Sequence, residues 1–133
     1  MKPNIRGYIF SRSFLGERVP QHVQNLVIRD YCERNGLHYL LSASEYAMEH
    51  CDLMLKQLLD ELPQLDGIAA YSMFQLPEDA GEREQVYARV LTLGKTLHFA
   101  VEGLQMRTEG DRDRIETLWR VRQCLPLCPT TIE

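Results

Sequence analysis

Residues 66 to 72 read Asp66-Gly67-Ile68-Ala69-Ala70-Tyr71-Ser72, and this stretch decides the fold class. Asp-Gly turns the chain, and a short apolar run without polar alternation follows. A strand with one wet face alternates apolar and polar residues, whereas a strand covered on both faces need not. The run therefore predicts a central strand, Ile68 to Tyr71, with helices on both sides.

Working outward, Cys51, Met54, Leu55, Leu58, Leu59 and Leu62 recur at i, i+3, i+4 and i+7 until Pro63, which predicts a helix with Leu55, Leu58 and Leu59 in the core. Before it, Leu37-His38-Tyr39-Leu40-Leu41 reads as a strand that ends in the small, polar run Ser42 to Tyr46. Earlier still, Val23, Leu26, Val27 and Tyr31 mark a helix that opens after Pro20 and stops at Asn35-Gly36. Arg6-Gly7-Tyr8-Ile9-Phe10 reads as the first strand. In the other direction, Glu82 to Leu93 predicts a helix stopped by Gly94, and Thr96 to Val101 a strand. Asp111 to Gln123 predicts a last helix with Ile115, Leu118 and Trp119 on one side, before a tail over 124–133. Strands alternating with helices imply a three-layer αβα domain with a mainly parallel four- or five-stranded sheet.

The chain has 133 residues, the size of a single domain spanning 1–133. Its hydrophobic share of 44% and charged share of 26% are those of a globular protein with a packed core. With a formal net charge of −4 and scattered Lys and Arg, no basic stripe is available for a phosphate backbone, so nucleic acid is not expected as a partner. No apolar run approaches the ~20 residues of a membrane span, and Met1 to Arg6 lacks an apolar leader; a cytoplasmic protein without membrane contact is expected. Cys32 and Cys51 fall on apolar helix faces as small hydrophobes. Cys124-Leu-Pro-Leu-Cys128 has a ligand-like spacing, but no second Cys or His pair completes a four-ligand set, so no metal site is expected.

In parallel sheets, ligands collect beyond the carboxyl ends of the strands, and that rule selects the candidates. Ser11, Arg12 and Ser13 follow the first strand. Arg12 can grip an anion with paired donors while the serines add hydrogen bonds, unless they are simply a solvated arginine and capping hydroxyls. His22 lies in the first turn of the first helix, as an acid/base or merely exposed group. Glu45 follows the second strand and Glu102 the fourth. Two carboxylates with separated pKa values suit acid/base work on sugar hydroxyls, which makes Glu45 and Glu102 the catalytic candidates. Tyr71, Ser72 and Gln75 end the central strand and could orient hydroxyl groups, or cap the turn before Pro77. No phosphate loop, Walker motif, Ser-His-Asp order or two-histidine metal motif is present, and no cofactor is expected.

Two families resemble the chain. The N-terminal two thirds is similar to the catalytic domain of serine recombinases, the resolvases. The likeness runs through Gly7-Tyr8-Ile9-Phe10-Ser11-Arg12, the Gln24-Asn25-Leu26 helix ending in Tyr31-Cys32, Leu58-Leu59, the Asp66-Gly67 strand and Gly94-Lys95-Thr96-Leu97-His98-Phe99. This resemblance implies a resolvase-like fold, with Ser11 or Ser13 near the place of the family nucleophile. It does not extend to recombination: Tyr71-Ser72-Met73-Phe74-Gln75 stands where the family's Asp-Arg motif belongs, and the surrounding arginines are missing.

Over nearly its whole length the chain also resembles the sporadic carbohydrate cluster proteins of bacterial sugar and surface-polysaccharide gene clusters. The matching segments are Arg6 to Arg12, Val19-Pro20-Gln21-His22-Val23-Gln24-Asn25, Leu41 to Met48 and Tyr71-Ser72-Met73-Phe74-Gln75-Leu76-Pro77. That resemblance implies a role in carbohydrate biosynthesis, with a sugar or sugar nucleotide as small-molecule partner, and no transferable reaction. The competing expectation is a non-catalytic interaction module. Small size, aromatic-rich loops and a Trp119 face on the last helix suggest a homo-oligomer, most simply a dimer.

Overall fold

The computed structural model describes residues 2–11, 13, 18–48 and 51–124. Strand β1 (Asn4–Ile9) leads to helix α1 (Gln21–Arg34), β2 (His38–Ser44), α2 (Leu53–Glu61), β3 (Gly67–Ala70), α3 (Ala80–Thr92), β4 (Thr96–Phe99), β5 (Leu104–Met106) and α4 (Glu109–Cys124). Short 3-10 turns at Leu62–Gln64 and Met73–Gln75 flank β3.

The sheet has five strands in the order β2-β1-β3-β4-β5, parallel except for the β4–β5 hairpin. The mainly parallel α/β architecture read from the sequence is therefore the one observed, and all four residues of β3 are buried. The chain steps from β1 to β2 in one direction and then returns past β1 to β3. Right-handed crossovers consequently put α1 on one face and α2 and α3 on the other. Ile28, Tyr31 and Cys32 of α1 pack on Ile5, Ile9 and Ala69. Leu55, Leu58, Val86, Tyr87, Val90, Ile115 and Trp119 cover Tyr8, Ile68, Ala70, Leu97 and Phe99 on the opposite face. Strand order reverses between β1 and β3, and ligands of such sheets bind beyond the strand ends at that reversal.

Two helices end by the same device. After α1, the Leu37 N–H bonds the Cys32 carbonyl at 2.8 Å and Gly36 takes φ +69°; after α3, the Lys95 N–H bonds the Val90 carbonyl at 3.0 Å and Gly94 takes φ +70°. Glycine is suited to this left-handed position, and both caps feed straight into the next strand.

Several details depart from the sequence reading. Strand β2 runs on through Ser42, Ala43 and Ser44, because β1 continues to pair with it past a bulge between Arg6 and Tyr8. The buried stripe of α1 is Gln24, Ile28, Tyr31 and Cys32, which leaves Leu26 57% exposed. Leu55 and Leu58 are buried as expected, whereas Leu59 only packs against the core from its margin. Strand β5 carries no sequence signal of its own, since three residues are too few for periodicity to register. Trp119 offers no outer face: it is buried, its Nε1 donates to the Met73 carbonyl at 3.0 Å, and its ring meets Phe74 edge-on. No helix among the described residues is long and apolar enough to cross a membrane.

Candidate functional site at the strand carboxyl ends

The junction of β1, α1 and β3 is organised by two glutamines. Gln24 sits one turn into α1 and is fully buried. Its Oε1 accepts from the Phe10 N–H at 3.0 Å and from Gln75 Nε2 at 2.8 Å, while its Nε2 donates to the carbonyls of Phe10 at 2.9 Å and Val19 at 2.8 Å. Every hydrogen-bonding position of that amide is used. Gln75 in turn accepts from the N–H groups of Tyr71 at 3.1 Å and Ser72 at 3.4 Å. The pair thus ties the end of β1, the entry to α1 and the exit of β3 into one unit. Three buried segments would otherwise carry orphaned backbone groups.

Beside this junction an open cleft of about 370 Å³ is lined by Ser11, Arg18, Val19, Pro20 and Gln21. The exposed Arg18 guanidinium donates to the Ser11 carbonyl at 3.1 Å, and the Gln21 amide oxygen lies 3.5 Å from the Ser44 hydroxyl. The first turn of α1 carries no acidic side chain.

The predicted residues that the structure describes are at this end of the sheet, but they belong to three separate groups. Ser11 lines the cleft while its hydroxyl donates to the Glu45 carbonyl at 2.9 Å. Ser13 and His22 are exposed, and Arg12 lies outside the described residues. The Glu45 carboxylate is buried and accepts on Oε1 from the Tyr8 hydroxyl at 2.8 Å and the Leu55 N–H at 3.2 Å. Its Oε2 accepts from the N–H groups of Tyr46 at 3.2 Å and Met54 at 3.1 Å, and from the Cys51 thiol at 3.4 Å. It therefore satisfies the first turn of α2 from a distance, where a carboxylate suits both the free donors and the helix dipole.

Glu102 does similar work at the other side. It accepts from the Ser72 hydroxyl at 2.7 Å and the Met73 N–H at 2.9 Å, and Ser72 also accepts from the Phe74 N–H at 3.2 Å. Strands β2 and β4 are three strand spacings apart, roughly 14 Å. The two carboxylates accordingly hold different backbone turns and share no partner among their recorded hydrogen bonds. Gln75 and Ser72 are buried and Tyr71 is half-buried.

Other buried polar groups went unnoticed in the sequence. Arg83 is 1% exposed and pairs with Glu116, donates to the carbonyls of Pro77 and Glu78, and stacks 4.1 Å from the Trp119 ring centroid. The hydrogen bond from Arg83 holds the Glu116 carboxyl below its usual range, and burial, reinforced by Glu116, drives the Tyr87 hydroxyl upward. His98 lies between the Tyr31 hydroxyl and Thr96 Oγ1, both at 2.8 Å, and burial together with the charge of Arg107 lowers its pKa to about 4. The legible signal was a polar residue on an apolar helical stripe: Gln24 with Ile28 and Tyr31, Arg83 with Val86, Tyr87 and Val90. Nothing comparable marked Arg18 or Gln21. No group of three or more His, Cys, Asp or Glu among the described residues could hold a metal ion.

No protein-family model matches the chain, and no curated protein is similar to it in sequence. Solved structures are similar in fold. The N-terminal catalytic domain of TP901-1 integrase superposes with a TM-score of 0.57 at 10% identity, covering 94% of this chain and 99% of that one. A resolvase family site-specific recombinase from Streptococcus pneumoniae gives a TM-score of 0.63 at 7% identity, covering 90% and 88%. The chain has a resolvase-like fold; at such identities the likeness is one of architecture alone.

Proposed function

We propose that the chain binds a small sugar-like molecule, a sugar or sugar nucleotide, in the cleft beside the Gln24–Gln75 junction, and that it serves bacterial carbohydrate or surface-polysaccharide biosynthesis. The observation that carries this reading is the cleft itself: about 370 Å³ beyond the carboxyl end of β1, between the exit of that strand and the first turn of α1, with the Arg18 guanidinium and the Gln21 amide at its wall. Its volume lies in the range of small-molecule sites, its position is the one such sheets use, and its donors and acceptors suit hydroxyl and phosphoryl groups. The pathway context rests on the resemblance to the sporadic carbohydrate cluster proteins.

A second reading, a binding module without catalysis, is favoured by one observation. Both candidate catalytic carboxylates, Glu45 and Glu102, are occupied by backbone N–H and hydroxyl donors. Site-specific recombination, for which one structural neighbour is named, is not supported, since Tyr71 to Gln75 replaces the Asp-Arg motif and the chain is acidic.

Thermal shift with sugar nucleotides, sugar phosphates and keto sugars tests the proposal. A ligand at a hundred times its Kd stabilises by about 2.7 kcal/mol, and Arg18→Ala should abolish that gain. Turnover of the bound compound selects the enzyme, and binding without turnover selects the module. No stabilisation by any of the three classes would refute a sugar site.

A further inference from the structure

We propose that the outer edge of β2 is an interface for a second copy of this chain, β2 against β2 in antiparallel sense about a twofold axis. The two edges of the sheet differ sharply. Strand β5 exposes three residues of backbone, but β2 exposes seven. Edge strands of that length are normally guarded by charged side chains. From His38 to Met48 the only Asp, Glu, Lys or Arg is Glu45, and its side chain is turned inward. The exposed side of this run carries apolar groups instead: Leu41 is 79% exposed, the highest value among the large hydrophobic residues described, and Tyr46 and Met48 are 53% and 62% exposed.

The backbone fits a twofold partner. The His38 N–H bonds Pro3 and the Glu45 N–H bonds Ile9, so both residues direct their N–H groups at β1 or the chain beside it. Alternation then turns the N–H and C=O of Tyr39 and Ser44 outward, with the bulge between them changing the parity. Antiparallel pairing that sets Tyr39 opposite Ser44 of the second copy, and Ser44 opposite its Tyr39, lets both pairs exchange hydrogen bonds. The axis passes between Leu41 and Ser42 and brings the two Leu41 side chains together. Arg6, whose Nε holds the Leu41 carbonyl at 2.7 Å, is already paired with Glu61.

The neutrality of the run selects the occupant. In a twofold interface every group meets the image of its own patch, so a charged edge would confront like charge. A run without exposed charge of its own meets no such penalty; the nearby cation, Arg29 of α1, lies over the Tyr39 ring on the face of the sheet.

The test is the mass of the full chain by light scattering, for the wild type, Leu41→Lys and Val121→Lys, the last on an exposed position of α4 remote from β2. The expected result is a dimer for the wild type and Val121→Lys, and half that mass for Leu41→Lys, whose melting temperature should match that of the wild type once both are diluted to the monomer. Amide exchange at Tyr39 and Ser44 should be slow in the wild type and fast in Leu41→Lys. A monomeric wild type at millimolar concentration, a Leu41→Lys dimer, or loss of the dimer in Val121→Lys overturns the proposal. So does rapid exchange of both amides in a wild-type dimer, which would place the contact elsewhere.

Discussion

Two buried polar junctions stand side by side at the carboxyl ends of the strands, and they solve the same problem with opposite chemistry. At β1 and β3 two neutral amides, Gln24 and Gln75, stitch three segments together. At β1 and β2 one carboxylate, Glu45, gathers five donors. An amide donates and accepts at once, so it can join carbonyls and N–H groups of different segments without bringing in a charge. A carboxylate only accepts and must sit where donors converge, here the first turn of α2. The comparison shows why an open cleft can lie beside the first junction: Gln24 holds the walls from behind while Arg18 and Gln21 are exposed. The second junction is closed on itself.

The largest expected effect is at the charged junction. Glu45→Ala orphans the Tyr8 hydroxyl and the first N–H groups of α2, and should cost about 4 kcal/mol, from the loss of a helix cap and of buried hydrogen bonds. Urea unfolding should show the midpoint falling with the slope unchanged. A loss below about 1 kcal/mol, within the range of ordinary surface substitutions, would mean that water replaces the carboxylate and that this junction is not closed.

Gln24→Glu sharpens the contrast, because it keeps the shape while replacing the donor by an acceptor and bringing a charge into the buried site. The new oxygen would face the carbonyls of Phe10 and Val19, and the expected loss is about 3 kcal/mol. It should be smaller at pH 5 than at pH 8, since protonation of the new carboxyl restores one donor. Equal losses at the two pH values would contradict the assigned amide orientation.

His98 places an ionisable group against the same helix, α1, that carries Gln24. Its folded pKa of about 4 lies below the ordinary 6.5, so the folded state favours the neutral ring. The unfolded chain then binds the proton more readily. This contribution is complete above pH 6.5 and is lost as pH falls from 6.5 to about 4, amounting to roughly 3 kcal/mol. Denaturant midpoints between pH 7 and 4 should fall in the wild type and fall less in His98→Gln. Parallel curves would show that the ring is not held neutral.

The smallest stability effect belongs to the cleft wall. Arg18→Ala should change stability by less than about 0.5 kcal/mol, as exposed positions do, while removing the ligand response. Calorimetric unfolding beside the binding assay separates the two, and a clear fall in melting temperature would make Arg18 a structural residue.

The parallel sheet was legible because Ile68-Ala69-Ala70 lacks polar alternation and because Asn35-Gly36 and Gly94 punctuate the helices. The site was legible only as a place. The rule of strand ends led to Ser11, Glu45, Ser72, Gln75 and Glu102, yet it could not say which of their groups face solvent and which bond to backbone. That division depends on partners distant in sequence: Gln75 meets Gln24 across 51 residues and Ser72 meets Glu102 across 30. Gln24 could have been read more closely, since a glutamine on the stripe of Ile28 and Tyr31 has to satisfy its amide inside the core. Arg18 could not, because an exposed arginine before a helix carries no signal until the fold sets it against Ser11.

The most direct test of the cleft is an amide-resolved NMR titration of the full chain with a sugar nucleotide. Shifts confined to Ser11, Arg18, Val19, Gln21 and their neighbours, with β5 and α4 unmoved, are the predicted result. Shifts centred on the α2–α3 side of the sheet, or none at saturating ligand, would contradict the assignment of the cleft as the binding site.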